Sequence, residues 1–495
     1  MNAVLQYIIT RPVRDLRVVC LLALISLAGC RKYLEAPLPD YEVTTADVFT
    51  SDNSSSAALN SVYQACYSQG LFSGPSSVGY LTGLYGDELT EYSSQLSSLA
   101  LYQDDVSSSI GGVTGLWSGF YAQLYTINTA IANLPAQSAV AVPHKNQWLG
   151  EAYFLRGLMY FYITNLYGTA PLVLGTNYAT NNTLARSPQS DVYAQIVSDL
   201  QQADTLLSDS YYNASGTTTT DRGRPNRMAA AALLARTYLY TGDWKDAETQ
   251  ADSVLADAAD YQLVNPLQTF LIGSPEVIWG IEPGLNAYLP YIEADVLAYY
   301  IPPNNVPANG GIAVSLSDSL VNAFEPGDLR MTDWVGVDSV ASGGSGPGSA
   351  YYYAYKYKDN GSYTSPQEYI TMFRLAEVYL IRAEARAQQG NYTGAGSAAS
   401  DLNTVRARAT LPPTTAATQA DMLAAIAHER RVELFCENGN RFFDLRRTGA
   451  LTPLMETLAP LKGGSWNSSG QQQWWPIPLT DVQNDPKMTQ TPGYE

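Results

Sequence analysis

Histidine is scarce in this 495-residue chain, with two in all, His144 and His428. Neither builds a zinc-protease motif. Glu429 follows His428, but Val432 stands where the second histidine of His-Glu-x-x-His is needed. Cysteine is sparse too: Cys20, Cys30, Cys66 and Cys436 form no Cys-x-x-Cys or zinc spacing. Basic residues are short, 28 Lys and Arg against 46 Asp and Glu, for a net charge of −18. That deficit excludes nucleic acid as a partner, because a phosphate backbone needs a basic footprint. No Gly-x-Ser-x-Gly elbow follows a strand, although a Ser–His–Asp triad assembled from distant residues stays open. Gly343–Gly348 has a phosphate loop's composition but no Lys and no following helix, so it reads as a hairpin tip. No cofactor and no metal is expected. Long apolar runs are missing beyond the N-terminus, where nothing reaches the ~20 residues that span a bilayer.

What is present begins with an address. Arg11, Arg14 and Arg17 precede an apolar run, Val18–Ala28, of signal-peptide length. The run ends Leu27-Ala28-Gly29-Cys30, a bacterial lipobox. Residues 1–29 are read as a lipoprotein signal peptide and Cys30 as the acylated residue. Residues 30–50, with Pro37 and Pro39, are read as a tether. Two or more acyl chains anchor a protein stably, so this one is expected to sit on a membrane rather than in it. Cys66 and Cys436 remain, as one disulfide or as two buried thiols.

The body is organised around 369–409. Leu375, Val378, Tyr379 and Ile381 fall at helical spacing, Gly390 stops that helix, and Ala395, Ala398 and Ala399 open a second one. The order is that of a tetratricopeptide hairpin. Gly242, Trp244, Ala247 and Ala251 repeat the offsets of Gly390, Tyr392, Ala395 and Ala399. Two copies so far apart suggest a helical scaffold with long inserts, and such scaffolds bind more than they catalyse. Further helices are expected over 57–67, 117–134, 148–168, 190–207, 316–324 and 422–437. The 148–168 helix is apolar nearly all round and therefore buried on several sides. Segment 69–105 reads as an irregular loop, 277–279 as a short strand, 334–337 with 351–357 as a β-hairpin, and 474–495 as a surface tail.

Tyrosine outnumbers phenylalanine 36 to 11. A ring with a polar tip suits wet binding surfaces. Sugars expose apolar C–H faces that stack on such rings. Four segments away from the repeats offer rings together with polar groups, 80–92, 288–300, Trp334 and 351–357, and the candidate ligand contacts are Tyr80, Tyr85, Tyr92, Tyr288, Tyr291 and Trp334. Tyr353, Tyr355 and Tyr357 alternate onto one strand face and read as core. Charged residues crowd into 429–447. A glycosidase needs two acids about 5–10 Å apart across its substrate. Here Arg430 and Arg431 flank Glu429 and Glu433, which is expected to lower the carboxyl pKa values and make an ion-pair network.

The stretches 152–173, 223–244, 373–392, 402–409, 429–447 and 474–495, together with the lipobox, occur in an order that resembles the SusD/RagB-like outer-membrane lipoproteins of Bacteroidetes. One departure is Cys436-Glu437-Asn438-Gly439, where the family pattern runs Phe-Glu-Gly; the inserted residue is expected to loosen that turn. The resemblance implies a mainly α fold with four tetratricopeptide-like hairpins, an irregular loop side and a small β-hairpin. It implies a single SusD-like domain over 51–495, with an N-terminal part, 51–260, and a C-terminal part, 261–495. It implies a non-enzymatic protein, surface-exposed on the outer membrane. Such a protein captures oligosaccharide, or in some members peptide, for a SusC-like TonB-dependent transporter. The family's ligand contacts lie in variable loops and do not carry over by motif. Two other readings stay open: a surface glycoside hydrolase, and a protein-interaction scaffold without glycan affinity.

Overall fold

The computed structural model describes residues 48–283, 306–307, 313–339, 349–358 and 367–494. Cys30, the signal peptide, most of the tether, Tyr288 and Tyr291 lie outside the described residues.

In chain order the elements are α1 (Asp52–Ser68), α2 (Val78–Tyr85), β1 (Leu89–Glu91), α3 (Leu96–Tyr102), α4 (Gly111–Asn133), α5 (Lys145–Tyr167), α6 (Gln189–Leu206), β2 (Tyr211–Tyr212), β3 (Thr218–Thr219), α7 (Arg227–Thr241) and α8 (Trp244–Leu255). There follow β4 (Val277–Ile281), β5 (Val314–Leu316), β6 (Val335–Ser339), β7 (Ala350–Ala354), β8 (Ile370–Arg374), α9 (Leu375–Gln388), α10 (Ala398–Arg408), α11 (Gln419–Glu433), α12 (Asn440–Arg447) and α13 (Leu451–Leu458). Single helical turns fill some of the connections. The fold is mainly α; the sheets among the described residues are two-stranded and antiparallel.

Helix α5 is the centre, buried along almost its whole length. Gly150 and Gly157, one heptad apart, let it meet α6 at close range: a Cβ on either would lie 2.8–2.9 Å from Leu207 or Leu200. The one cation on this buried stretch, Arg156, is neutralised. Its Nε and Nη2 donate to Asp199 of α6 at 2.8 and 2.6 Å, and its Nη1 donates to Asn128 of α4. One side chain thus fixes three helices.

The two hairpins form as expected. Asn226 caps α7 by accepting from the Ala229 N–H, and Gly242 ends it in the left-handed conformation at φ 82°. Gly390 does the same after α9, at φ 86°. Ala383, Ala387, Ala398, Leu402 and Val405 close the second hairpin against Met422 and Ile426 of α11. Across α7 and α9, Arg236 donates two hydrogen bonds to Glu377 with both groups buried.

Four expectations need correction. Residues 370–374 are a strand, not helix: β8 pairs with β4, all five residues are buried, and α9 starts directly after it. Segment 69–105 is ordered into α2, β1 and α3. Ser77 caps α2, and every residue of that helix is buried. The C-terminal segment lies over the surface only after its start: residues 475–478 are buried, with the Trp475 backbone N–H donating to the Leu166 carbonyl, and most of 479–494 is exposed or half-buried. The inserted residue at 436–439 does not loosen its turn. Cys436, Asn438 and Gly439 all take positive φ, the Cys436 N–H donates to Glu88, and the Asn438 amide donates to the Thr371 carbonyl. Cys66 and Cys436 are not joined in a disulfide; Cys66 is buried and Cys436 half-buried, and burial pushes the Cys66 thiol up to about 12. No described helix is long and apolar enough to cross a membrane.

Candidate functional site

The exposed aromatic surface is assembled by β1, β5 and β7. Strand alternation turns Leu89 and Glu91 inward and Tyr92 outward, where it is 48% exposed. Antiparallel pairing holds it there: β1 pairs with β5 from Leu89↔Leu316 to Glu91↔Val314, and the Tyr92 N–H donates to the Ala313 carbonyl. The Tyr92 hydroxyl lies 3.2 Å from Ser315 Oγ. Its ring meets Tyr351 edge to face, centroids 5.6 Å apart. Tyr102 lies beside it, its phenol raised by burial and by the neighbouring Tyr92.

Tyr351 is the second residue of β7, which pairs with β6. Tyr353 and Tyr355 follow on the same face, half-buried, with centroids 5.8 Å apart. Gly336 makes room for them. It sits opposite Tyr353, whose ring fills the place of the missing side chain. Only Tyr357 of that run turns inward, packing on Phe270. The expected core face is therefore a half-open tyrosine row continuous with Tyr92. Beneath it, Glu91 Oε2 is a buried acceptor that meets no donor among the described residues.

Three of the aromatic candidates are placed elsewhere. Tyr80 and Tyr85 belong to α2 and are buried. The Tyr85 hydroxyl donates to the Gln472 carbonyl, and its ring packs edge-on against Phe442 and Trp475. Trp334 is fully buried because its indole N–H is satisfied by the Pro266 carbonyl and its faces carry Lys356, Arg374 and Arg408. None of the three offers a ring face to a ligand in this structure. Tyr351 bounds one of the segments expected to offer sugar contacts, but neither it nor Tyr102 is among the six candidate contacts. Tyr102 ends a helix hidden in Ser/Gly-rich composition, and Tyr351 gains its role only from a neighbour 259 positions away, as |92−351|.

The acidic cluster is a buried ion lattice. Arg330 bonds Asp328, Glu429 and Glu433 at 2.8, 2.6 and 2.7 Å. Arg374 bonds Glu276, Glu433 and Glu437; Arg408 bonds Glu276 and Glu433; Lys356 bonds Glu437; Arg406 bonds Glu429 and Glu325. Against the cost of burial, Arg408, Arg374 and Arg330 hold Glu433 well below the usual carboxylate range. Glu429 goes the other way: burial outweighs Arg330 and raises it, which corrects the expectation that both fall. Arg430 and Arg431 are not part of this lattice. They pair with Asp444 and Asp87. Each carboxylate of this lattice is committed to a cation, unlike the two acids that flank a glycosidic bond.

Glu88 stands just before β1, buried, and burial pushes it to about 7 although the Cys436 N–H donates to it. Its folded value lies above the ~4.3 of an unfolded glutamate. The folded state therefore holds the proton longer, and stability is lost as pH rises through about 7. Glu88→Gln keeps the acceptor and removes the titration. The variant is expected to gain about 2–3 kcal/mol over wild type at pH 8 and little at pH 4, read from urea midpoints at the two pH values.

Residues 345–494 match the SusD family model, and residues 40–239 match a second model described as starch-binding associating with outer membrane. A SusD-like protein, P2, of Formosa agariphila is 25% identical over 481 residues, covering 87% of this chain and 90% of its own. The starch-binding protein SusD of Bacteroides thetaiotaomicron is 25% identical over 433 residues, covering 70% of this chain and 72% of its own. Among solved structures, a laminarin-binding SusD-like protein aligns with a TM-score of 0.73 at 23% identity, over 90% of this chain and all of that one. A SusD superfamily protein of Bacteroides vulgatus aligns with a TM-score of 0.74 at 21% identity, over 90% and 99%.

Proposed function

Because the chain belongs to the SusD/RagB-like family, we propose that it is a lipid-anchored outer-membrane protein that captures an oligosaccharide and passes it, unaltered, to a SusC-like TonB-dependent transporter. The observation that carries the reading is the open tyrosine row of Tyr92, Tyr351, Tyr353 and Tyr355. Its rings stack on sugar C–H faces, and its hydroxyls bond sugar hydroxyls. Tyr288 and Tyr291 are proposed as further contacts, and Cys30 as the acylated residue, on sequence grounds. A starch-type glucan and laminarin are the first ligands to try, since relatives carry those names.

The commitment of Glu429, Glu433 and Glu437 to arginine and lysine supports capture without hydrolysis. The test is a panel of maltoheptaose, laminarin oligosaccharides, pectin fragments and peptides against the full-length protein. One glycan class is expected to bind, and to be recovered with its chain length unchanged after prolonged incubation. Shortened product from the wild type that vanishes in Glu429→Gln would replace this reading with a hydrolase.

A further inference from the structure

A cavity of about 850 Å³ opens between α7, α8, α9, α11, α12 and α13, and shares no residue with the tyrosine row. Leu239, Trp244, Leu423 and Leu454 give it an apolar wall, and Tyr240 and Arg430 are its informative polar groups. The size and the mixture are those of a small-molecule site.

The hydrogen bonding around Arg430 is incomplete in a specific way. Arg447 takes both oxygens of Glu384 and also donates to Asp444 Oδ1. Arg430 donates to the other oxygen of Asp444 through Nε, at 2.6 Å. Both carboxylates are then used. Arg430 is 3% exposed, yet its Nη1 and Nη2 meet no acceptor among the described residues, and neither does the Tyr240 hydroxyl meet a partner. Buried donors left unmet are costly, so an acceptor is called for. With Nε spent on Asp444, the free part of the guanidinium is its end-on fork, which matches the two oxygens of a carboxylate.

We propose that this cavity binds a carboxylate carried by an apolar body, with the Arg430 fork on the carboxylate, the Tyr240 hydroxyl beside it, and Trp244, Leu423 and Leu454 against the apolar part. A free aliphatic acid and the C-terminus of an apolar peptide share this chemistry.

Titration calorimetry on the full-length protein tests it, with octanoate, N-acetyl-leucyl-leucine and the C-terminal amide of that dipeptide as probes. At least one of the two acids binds, and which one assigns the source. The amide is expected at least tenfold weaker than the dipeptide acid wherever that acid binds. Arg430→Gln weakens the acid at least tenfold. Ala427→Trp, at an exposed position lining the cavity, fills it without touching the buried ion pairs, and abolishes binding. That variant keeps the test intact if Arg430→Gln does not fold. It also keeps the glycan affinity of the tyrosine row, so failure of one site is read separately from the other. No binding by either acid, equal affinity for dipeptide acid and amide, or unchanged affinity in Ala427→Trp overturns the proposal and leaves a hydrated cavity.

Discussion

Replacing Arg330 with methionine is expected to cost about 3–5 kcal/mol of stability, the scale for breaking a buried ion pair from one side. Arg330 is fully buried, and its guanidinium serves three carboxylates: Asp328, Glu429 and Glu433. Methionine fills much of the same space, so little of the loss comes from a cavity. The loss comes from stranded charge. Asp328 loses its arginine, Glu429 keeps only Arg406, and Glu433 keeps Arg374 and Arg408. Whole lattices of this kind are no guarantee of stability, because taking each ion out of water opposes the attraction; removing one member is what shows. Arg330→Lys is expected to fall between, since an ammonium cannot present a planar fork to three acids. The deficit should shrink as pH falls towards 5, because stranded carboxylates escape by protonating, and Glu429 already titrates high. Arg227→Met, at an exposed pair with Asp209, is the control and should change stability by no more than about 0.5 kcal/mol. Urea unfolding followed by tryptophan fluorescence measures all three, with Trp334 lying against the lattice. A deficit below about 1 kcal/mol that ignores pH would show that the lattice is not under this electrostatic load.

The same lattice shows what can be read from a linear sequence. The run 429–437 displays its carboxylates openly, and an ion network was legible from it. Its main cations were not: Arg330, Arg374 and Arg408 arrive from other elements, whereas the adjacent Arg430 and Arg431 face elsewhere. Helical phase decides this, and phase over one turn is not fixed by composition. The two hairpins were legible because their information is local. Gly242 and Gly390 end helices wherever they occur, and spaced alanines let helices approach. Segment 69–105 reads as a loop because the partners that order it lie far away in sequence: Lys462 donates to the carbonyls of Leu84, Tyr85 and Gly86, and the Gln472 carbonyl accepts from Tyr85. Tyr80, Tyr85 and Tyr92 share similar Ser/Gly surroundings. A capped helix buries the first two, and strand alternation exposes the third. Residues 370–374 were drawn into the helix because the apolar pattern of α9 runs on upstream, while only the partner β4 makes them a strand.

Tyr92→Ala is expected to cost about 1–2 kcal/mol of glycan affinity, roughly 5–30-fold, which would make Tyr92 a hot spot of the capture surface. The ring is half exposed, so truncation removes contact with the ligand without opening a core. Thermal stability should therefore hardly move. Tyr351→Ala is expected to act on the same term by a second route. Its ring meets Tyr92 edge to face and limits how that ring turns. The double variant should lose less than the sum of the singles, because each ring serves partly by orienting the other. Tyr92→Phe separates the face from the hydroxyl. If stacking dominates, Phe keeps most of the affinity and gives up only the bond to Ser315 Oγ. If the hydroxyl dominates, Phe behaves like Ala, and the row acts as a line of hydrogen-bonding groups instead. Tyr85→Ala provides the contrast: it removes a fully buried ring packed on Phe442 and Trp475, so it should lower stability by about 3–5 kcal/mol while the affinity of the remaining folded protein stays the same. Affinity that survives in both Tyr92→Ala and Tyr351→Ala would move the capture surface away from this row.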